Sequence, residues 1–312
     1  MYKDKRIAVV VPARNEAGHI GQVITSMPSF VDHIIIVDDC SSDGTSEQAR
    51  AADDSRVAMM TTASQSGVGG AMVLGYRRAL EWGADIIVKM DGDGQMPAAY
   101  LPNLLDAIVE QGCDYAKGNR FLAGESIKVM PTHRMLANII LTFMTKMASG
   151  YWHVFDPQNG YTAIKGRVLA TIDLDQVRRD YFFENDMLIR LNFQRYRVKD
   201  VAIPAQYGDE QSEINLFKVG MTFPALLLRK FFYRVIQKYV LRDFSPIALF
   251  LFLGLALFLW GACLGIYLWA RTIMTGLPTA TGTIMLSLLP LILGFQLILQ
   301  AIVLDIQESK EP

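Results

Sequence analysis

The first two thirds of the chain contain short apolar runs separated by longer stretches of mixed polar and apolar residues. The runs Ile7–Val11, Ile34–Val37 and Ile86–Met90 are continuous rather than alternating, as is typical of strands covered on both faces. The stretches between them read as helices over Ala17–Met27, Gly44–Ala52 and Gly70–Trp82. Strands that alternate with helices predict βαβ units, and therefore an α/β domain built on a parallel sheet.

The last quarter of the chain has a different pattern. Pro246–Ala270 and Thr283–Leu304 contain no charged residue, and each exceeds the roughly 20 residues that cross a bilayer. The preceding stretch has a cluster of cations, at Arg229, Lys230, Arg234, Lys238 and Arg242. By the positive-inside rule we expect this flank, and hence the C-terminus, on the cytoplasmic side. The sequence therefore predicts a multi-pass protein of the inner (plasma) membrane with a cytoplasmic N-terminal domain; two buried helices of a soluble core are the alternative.

Two further stretches are predicted to lie at the membrane surface. The basic segment Leu226–Phe244 reads as an amphipathic interfacial helix. Leu136–Met147, with Lys146 as its one charge, is a candidate to lie on the bilayer or an ordinary core helix. These patterns divide the chain into an α/β domain (1–225), a juxtamembrane helix (226–244) and a transmembrane hairpin (246–306).

Composition narrows the classes of protein further. Hydrophobic residues make up 51% of the 312 residues, and the formal net charge of −1 gives no basic field for nucleic acid. The apolar run Ile7–Val11 is too short for a signal-peptide core, so we expect no secretory signal. Three cysteines without zinc or disulfide spacing suit a reducing compartment.

Polar and acidic residues follow each of the three predicted strands. Pro12-Ala-Arg14-Asn15-Glu16 follows the first run, Asp38-Asp39 the second and Asp91-Gly92-Asp93-Gly94-Gln95 the third. Turn-forming Asp and Gly explain any one of these segments alone. Because ligands of open α/β sheets bind outside the carboxyl ends of the strands, the three together predict a binding site there.

The segment after the third run suits a divalent metal. Asp91 and Asp93, one residue apart, can hold Mg²⁺ or Mn²⁺ and leave coordination positions for diphosphate oxygens. Gln95 can supply a neutral oxygen, and the intervening glycines allow close backbone approach.

The chain resembles a known family through motifs that occur in order. They are Val-Pro12-Ala-Arg-Asn15-Glu16, Val-Asp38-Asp39-Cys-Ser-Ser-Asp-Gly-Thr, Asp91-Gly-Asp93-Gly-Gln95, Lys-Gly118-Asn-Arg120 and Glu184-Asn-Asp186. Together they resemble the family 2 glycosyltransferases with a GT-A fold, a Rossmann-like nucleotide-sugar-binding domain. Within that family the chain looks most like dolichyl-phosphate mannose synthases and bacterial polyprenyl-phosphate glycosyltransferases, which also have C-terminal membrane helices.

The resemblance implies roles for individual residues. Those that would line the nucleotide pocket are Pro12, Arg14, Glu16, Asp38, Asp39, Asp91 and Gly92. Metal binding would fall to Asp91, Asp93 and Gln95. Arg120 would neutralise phosphate charge, and Arg134 would grip the acceptor phosphate, a task that suits the guanidinium fork. The implied catalytic set is Asp91, Asp93, Arg120, Arg134 and Glu184.

One segment departs from the family pattern. Relatives often have Arg-x-x-Gly-x-Ser-Lys late in the domain, whereas this chain has Tyr207 and Glu213 at the two cationic positions. Either Lys218 supplies the missing cation to the diphosphate or the donor differs. The nucleotide-sugar is therefore expected to be UDP- or GDP-linked, with the sugar left open.

The implied acceptor sets the mechanism. A phosphate monoester is largely dianionic at neutral pH, since its second pKa is about 6, and needs no protein base to attack the anomeric carbon. In-line displacement would invert the configuration. Glu184 and Asp186 then orient neighbouring groups or cap a helix.

Two other functions remain open on the sequence. A processive polysaccharide synthase shares these motifs but typically has Gln-x-x-Arg-Trp, which Gln194-Arg-Tyr-Arg197 does not match. A non-catalytic scaffold would not need the intact acidic motif. A homo-oligomer is neither indicated nor excluded.

Overall fold

The computed structural model describes residues 1–122, 132–204, 216–242 and 244–309, without the side chains of 132–138 and 216–221. The chain divides into two compact units, Met1–Leu228 and Arg229–Pro312. We describe each unit by itself.

A seven-stranded sheet forms the centre of the first unit, with the strand order β3-β2-β1-β4-β6-β5-β7. The strands are β1 (Ile7–Ala13), β2 (His33–Asp38), β3 (Val57–Thr61), β4 (Ile86–Lys89), β5 (Tyr115–Asn119), β6 (Thr162–Lys165) and β7 (Val198–Ala202). The three apolar runs are β1, β2 and β4, as predicted, and all residues of β1 and β4 are buried. The α/β fold is thus confirmed.

The three predicted strands pair in parallel, as expected, but the sheet as a whole is mixed. β1 pairs in parallel with β2 and β4, but β6 runs antiparallel to both of its neighbours, β4 and β5. The chain leaves β5, passes through a long helix and re-enters the sheet between β4 and β5 from the same end at which it left. A direct return of this kind reverses the strand, whereas a βαβ crossover would have kept it parallel.

Helices cover both faces of the sheet because side chains of buried strands alternate between two cores. The α-helices of the described chain are α1 (Ile20–Thr25), α2 (Thr45–Ala51), α3 (Gly67–Glu81), α4 (Leu101–Val109), α5 (Thr132–Ser149), α6 (Gly166–Leu169), α7 (Phe183–Phe193), α8 (Leu216–Val235), α9 (Pro246–Thr275) and α10 (Thr281–Glu308). Val9 and Val11 of β1 face one core with α1 and α4. Ala8 and Val10 face the other, with α3 and α7.

The second unit is dominated by the antiparallel pair α9 and α10. Both are long and apolar enough to cross a membrane, and only 28% and 17% of their most apolar windows are buried. The two helices approach closely at small residues: a Cβ on Gly261 would lie 2.6 Å from the carbonyl oxygen of Ser287, and one on Gly294 would lie 2.4 Å from the backbone nitrogen of Phe258. Such close backbone approach at glycine is typical of helix pairs in membranes.

The predicted basic segment is helical, in α8 and in a π-helical turn over Ile236–Val240. Two of the five cations of this predicted interfacial helix face the protein rather than the membrane surface. Arg234 is fully buried and Lys238 is 7% exposed, because their charges are paired within the unit, with Asp305 at 2.8 Å and Glu308 at 3.1 Å. Arg229 and Arg242 remain exposed.

Candidate active site

The loops that follow β1 and β4 meet at the carboxyl edge of the sheet. Gly92 lies so close to β1 that a Cβ there would be 3.3 Å from the carbonyl oxygen of Pro12 and 3.5 Å from Cγ of Glu16. β1 and β4 are paired in parallel, so their ends fall at the same level. The structure therefore brings together the two acidic segments that the sequence placed at one edge.

Hydrogen bonds fasten the loop after β1 to the loop after β2. Asn15, in the left-handed region at φ 56°, accepts from the Ser42 backbone N–H at 2.9 Å. The Glu16 backbone N–H donates to Thr45 Oγ1 at 2.8 Å. Arg14 is exposed at this edge, whereas Pro12 is buried within β1. The predicted contact of Pro12 with a nucleotide therefore depends on its backbone or ring edge.

Asp38 and Asp39, both 4% exposed, make their hydrogen bonds to the protein. Asp38 accepts from the Ser41 N–H at 2.9 Å and from the Ser46 hydroxyl. Asp39 accepts from the N–H groups of Ser66 and Gly67, at 2.7 and 2.8 Å. It therefore caps the N-terminus of α3, a position that favours a carboxylate.

The pKa of Asp39 reflects this role. Burial raises it, but the hydrogen bonds from Ser66, Thr62 and Gly67 outweigh burial and hold the pKa below its ordinary value. Asp39 is thus ionised and structural, and its contact with a nucleotide stays a prediction.

Asp91 is held by a buried lysine that the sequence analysis did not single out. Nζ of Lys89, on β4, lies 2.6 Å from Asp91 Oδ1 and 3.2 Å from Glu184 Oε1 on α7. Burial lowers the pKa of Lys89, but attraction to both carboxylates outweighs it and leaves the pKa above the ordinary value. Lys89 is therefore an ammonium ion that joins the acidic motif to Glu184.

Glu184 and Asp186 have separate environments. Glu184 faces Lys89, whereas Asp186 is fully buried and pairs with Arg190 at 2.9 Å. Asp186 also accepts from the Arg178 N–H at 3.2 Å. Glu184 therefore connects to Asp91 through Lys89.

The acidic motif is the candidate metal site. Asp93 Oδ1 accepts from the Gln95 N–H at 2.9 Å, which folds the loop back on itself. In the described chain, no group of three or more His, Cys, Asp and Glu side chains is arranged to hold a metal. Asp91, Asp93 and Gln95 offer oxygen donors of the type that Mg²⁺ and Mn²⁺ prefer, but too few to complete a coordination sphere. Diphosphate oxygens would complete it.

Arg120 lies after β5 and is paired inside the protein. Its Nε and Nη2 donate to the buried carboxylate of Asp156, at 2.7 and 3.0 Å. This fork-to-fork pair fixes the guanidinium plane, and the Arg120 side chain remains 38% exposed. A phosphate would therefore meet an arginine that is already oriented and partly neutralised.

The segment 156–160 before β6 belongs to the same region. Asn159 accepts a hydrogen bond from Nζ of Lys117, a lysine with no exposed surface on β5. Burial lowers the pKa of Lys117 to about 8, although Glu184, Asp156 and Asp200 oppose this shift. Gly160 then passes directly over Lys89 and Asp91, where a Cβ would be 2.3 Å from the lysine Nζ.

Sequence reasoning missed Lys89, Lys117, Asp156 and Gly160. Lys89 interrupts the apolar run Ile86–Met90 immediately before the acidic motif, and a buried lysine there was a readable signal. Lys117 and Gly160 reach the site only through strand pairing of β5 and β6, which local pattern does not reveal. The side chains of Arg134 and Lys218, and residues 207 and 213, lie outside what the structure describes.

Comparison with known proteins identifies the class. Residues 8–173 match Glycosyl transferase family 2. The chain is 31% identical to an undecaprenyl-phosphate mannosyltransferase of Micrococcus luteus over 64% of its length and 82% of the relative's. It is 32% identical to a polyprenol monophosphomannose synthase of Mycolicibacterium smegmatis, over 64% of this chain and 77% of that one. The chain belongs to glycosyl transferase family 2.

A solved structure of low identity shares the fold. Glucosyl-3-phosphoglycerate synthase from Mycobacterium tuberculosis, in complex with Mn²⁺, UDP-glucose and phosphoglyceric acid, is 21% identical, with a TM-score of 0.57 over 73% of this chain and 80% of that one. This likeness supports the fold of the first unit.

Proposed function

We propose that this protein transfers a sugar from a nucleotide diphospho-sugar to a polyprenyl phosphate such as undecaprenyl or dolichyl phosphate, inverting the anomeric configuration. The observation that carries the proposal is the Asp91–Asp93 pair at the carboxyl edge of the sheet, in a chain whose relatives are named for polyprenyl-phosphate acceptors. A soluble acceptor, as in the structural neighbour, would not need α9 and α10. Such a product would supply lipid-linked sugar for glycan or cell-envelope modification.

The donor side of the site would bind Mg²⁺ or Mn²⁺ through Asp91, Asp93 and Gln95. When bound, the metal would neutralise negative charge that develops on the departing diphosphate. The solved neighbour contains Mn²⁺ with UDP-glucose, which supports this choice of metal. Arg14, Glu16 and the loops after β1 and β2 would surround the nucleotide, with Asp38 and Asp39 keeping those loops in place.

The acceptor side would rely on charge rather than on a protein base. A dianionic phosphate can attack the anomeric carbon directly, so the enzyme needs to position it and neutralise it. Arg134, at the start of α5, is proposed for that phosphate, and Arg120 for the phosphates of the donor. Glu184 is paired with Lys89, which suits an orienting role better than proton abstraction.

We infer that α9 and α10 cross the inner membrane and keep the first unit on the cytoplasmic side. Their length and apolar composition, and the exposure of most of their apolar side chains, support this. Exposed lipid-facing residues are expected because hydrocarbon, unlike water, does not penalise them. The divisions proposed from sequence, 1–225, 226–244 and 246–306, would then separate catalysis from membrane attachment.

The proposal is tested by incubating the detergent-solubilised protein with short- and long-chain polyprenyl phosphates, Mn²⁺ and a panel of UDP- and GDP-sugars. We expect one labelled sugar to enter the lipid fraction, and excess chelator or Asp93→Ala to abolish the transfer. Transfer that persists in chelator would contradict the metal assignment. Release of free sugar in the absence of any glycolipid would contradict the acceptor assignment.

A further inference from the structure

Lys89 is the most deeply buried charge in direct contact with the proposed metal site. It lies on β4, level with Thr162 on β6, and its side chain is 1% exposed. A lysine in an apolar strand is destabilising unless its charge is paired. We therefore expect the Lys89 ammonium to be paired with negatively charged side chains.

The partners are two carboxylates of different elements. Asp91 Oδ1 lies 2.6 Å and Glu184 Oε1 3.2 Å from the same Nζ. In the described chain, Lys89 is the hydrogen-bond partner of Asp91 Oδ1, and Gly160 approaches the other oxygen. The ammonium thus fixes the rotation of the Asp91 carboxylate.

Gly160 shows that the arrangement leaves no spare space. A Cβ at this position would be 2.3 Å from Lys89 Nζ, 2.8 Å from Asp91 Oδ2 and 3.1 Å from Cε of Met96. Real Cβ atoms do not approach this closely, so any side chain at 160 must displace Lys89 or Asp91. The backbone of the segment 156–160 therefore closes against the Lys89–Asp91 pair.

We propose that Lys89 is a positioning residue that orients the Asp91 carboxylate toward the metal and diphosphate. Glu184 holds the Lys89 ammonium in place, and the lack of a side chain at Gly160 leaves room for that ammonium. This inference rests on the proposed function, because it assigns Asp91 to the donor site. It gives Glu184 a role in holding Lys89.

The expected effect falls on metal binding. Partners that orient a ligand typically contribute about 10–100-fold in metal affinity or activity when removed. Lys89→Met keeps the length of the side chain but leaves Asp91 free to turn. We therefore expect Mn²⁺ to bind about 10–100-fold more weakly in the presence of nucleotide, with KM for the lipid acceptor unchanged.

The experiment compares wild type, Lys89→Met and a matched control, Lys165→Met. Lys165 is a half-buried lysine near the other end of the same strands, and it pairs with Asp114 at 2.8 Å. Free Mn²⁺ is measured by electron paramagnetic resonance in the presence of nucleotide. UDP and GDP are first tested with the wild type, and the nucleotide that it binds is then used for all variants. Mn²⁺ activation of transfer and melting temperature are measured in parallel.

Gly160→Ala provides a second variant that keeps every charge. Its methyl group pushes on Lys89 Nζ and Asp91 Oδ2, so it should weaken Mn²⁺ binding in the same direction. It also keeps the inference testable if Lys89→Met does not fold. Weaker Mn²⁺ binding in Gly160→Ala and in any folded Lys89→Met, with Lys165→Met near wild type, supports the role.

Two results would overturn the inference. Either Lys89→Met or Gly160→Ala folds with wild-type Mn²⁺ affinity, or Lys165→Met weakens Mn²⁺ binding equally, which would indicate a general effect of lost stability. Failure of the proposed function is distinguishable, because it would show as a wild type that binds Mn²⁺ and nucleotide but transfers no sugar to polyprenyl phosphate.

Discussion

Removing one charge from the second unit should destabilise it strongly. Arg234 has no exposed surface, and its Nη1 and Nη2 donate to the two oxygens of Asp305 at 2.8 and 2.9 Å. The Tyr239 hydroxyl donates to Asp305 Oδ1 at 2.5 Å. This group ties the segment before α9 to the C-terminal turn of α10. Asp305→Asn keeps the shape of the acid but removes the charge that balances the guanidinium.

The magnitude follows from burial. Breaking a buried ion pair by removing one partner costs about 3–5 kcal/mol, because the other charge stays buried and uncompensated. Glu308→Gln is the matched control. Glu308 pairs with Lys238 at 3.1 Å on the same two segments, but the acid is 32% exposed. Lys238 is buried, but water reaches the Glu308 side of this pair, so Glu308→Gln should cost clearly less than Asp305→Asn.

The assay is a titration with SDS in mixed micelles followed by tryptophan fluorescence. The chain has four tryptophans, and Trp82→Phe with Trp152→Phe leaves Trp260 and Trp269 on α9 as reporters. The double variant Arg234→Met/Asp305→Leu should be closer to wild type than either single variant. Equal, small losses for Asp305→Asn and Glu308→Gln would contradict this prediction, since they would show that burial of the pair has no energetic consequence.

Three further predictions concern the first unit and its membrane attachment. Because hydrogen bonds lower the pKa of Asp39 in the folded state, the stability it contributes is present above the unfolded pKa of about 4 and is lost as pH falls below it. The melting temperature of Asp39→Asn should therefore be lower than that of wild type at pH 6 and should fall less between pH 6 and pH 3. Melting temperatures that fall equally with pH in both proteins would contradict this. Arg134→Ala should raise KM for the lipid phosphate much more than the dissociation constant of the nucleotide-sugar, and the reverse pattern in steady-state kinetics and calorimetry would reassign it. A chain truncated after Arg242 should still bind nucleotide and metal, and it should use a short, water-soluble acceptor better than one embedded in a bilayer. Equal rates on both acceptors would show that the hairpin of α9 and α10 does not bring the lipid acceptor to the first unit.

Sequence alone predicted the parts of the site that local pattern encodes. The apolar runs of β1, β2 and β4, of which the last contains Lys89, read as buried strands, and the acidic segments follow them directly. Their meeting at one edge then follows from parallel pairing. The same argument located the two long apolar helices, whose length and lack of charge need no tertiary information.

The rest depends on contacts between distant residues. Arg234 and Asp305 are 71 positions apart, so the basic segment read as a lipid-facing surface. Lys117 comes level with Lys89 only because β6 enters the sheet between β4 and β5. The closeness of Gly160 to Asp91 is visible only once the segment 156–160 has folded over β4. Long-range pairing of this kind determines which charged side chains are paired within the protein.

The proposed acceptor is the phosphate of a polyprenyl chain. The most direct test is mass spectrometry and ³¹P NMR of the lipid product formed by the wild-type protein from its preferred nucleotide-sugar. We expect a lipid heavier by one sugar residue, a single phosphate whose oxygen is bonded to the anomeric carbon as a phosphodiester, and inverted configuration relative to the donor. A product with several sugars, one with a diphosphate, or a sugar attached to a hydroxyl group would contradict it.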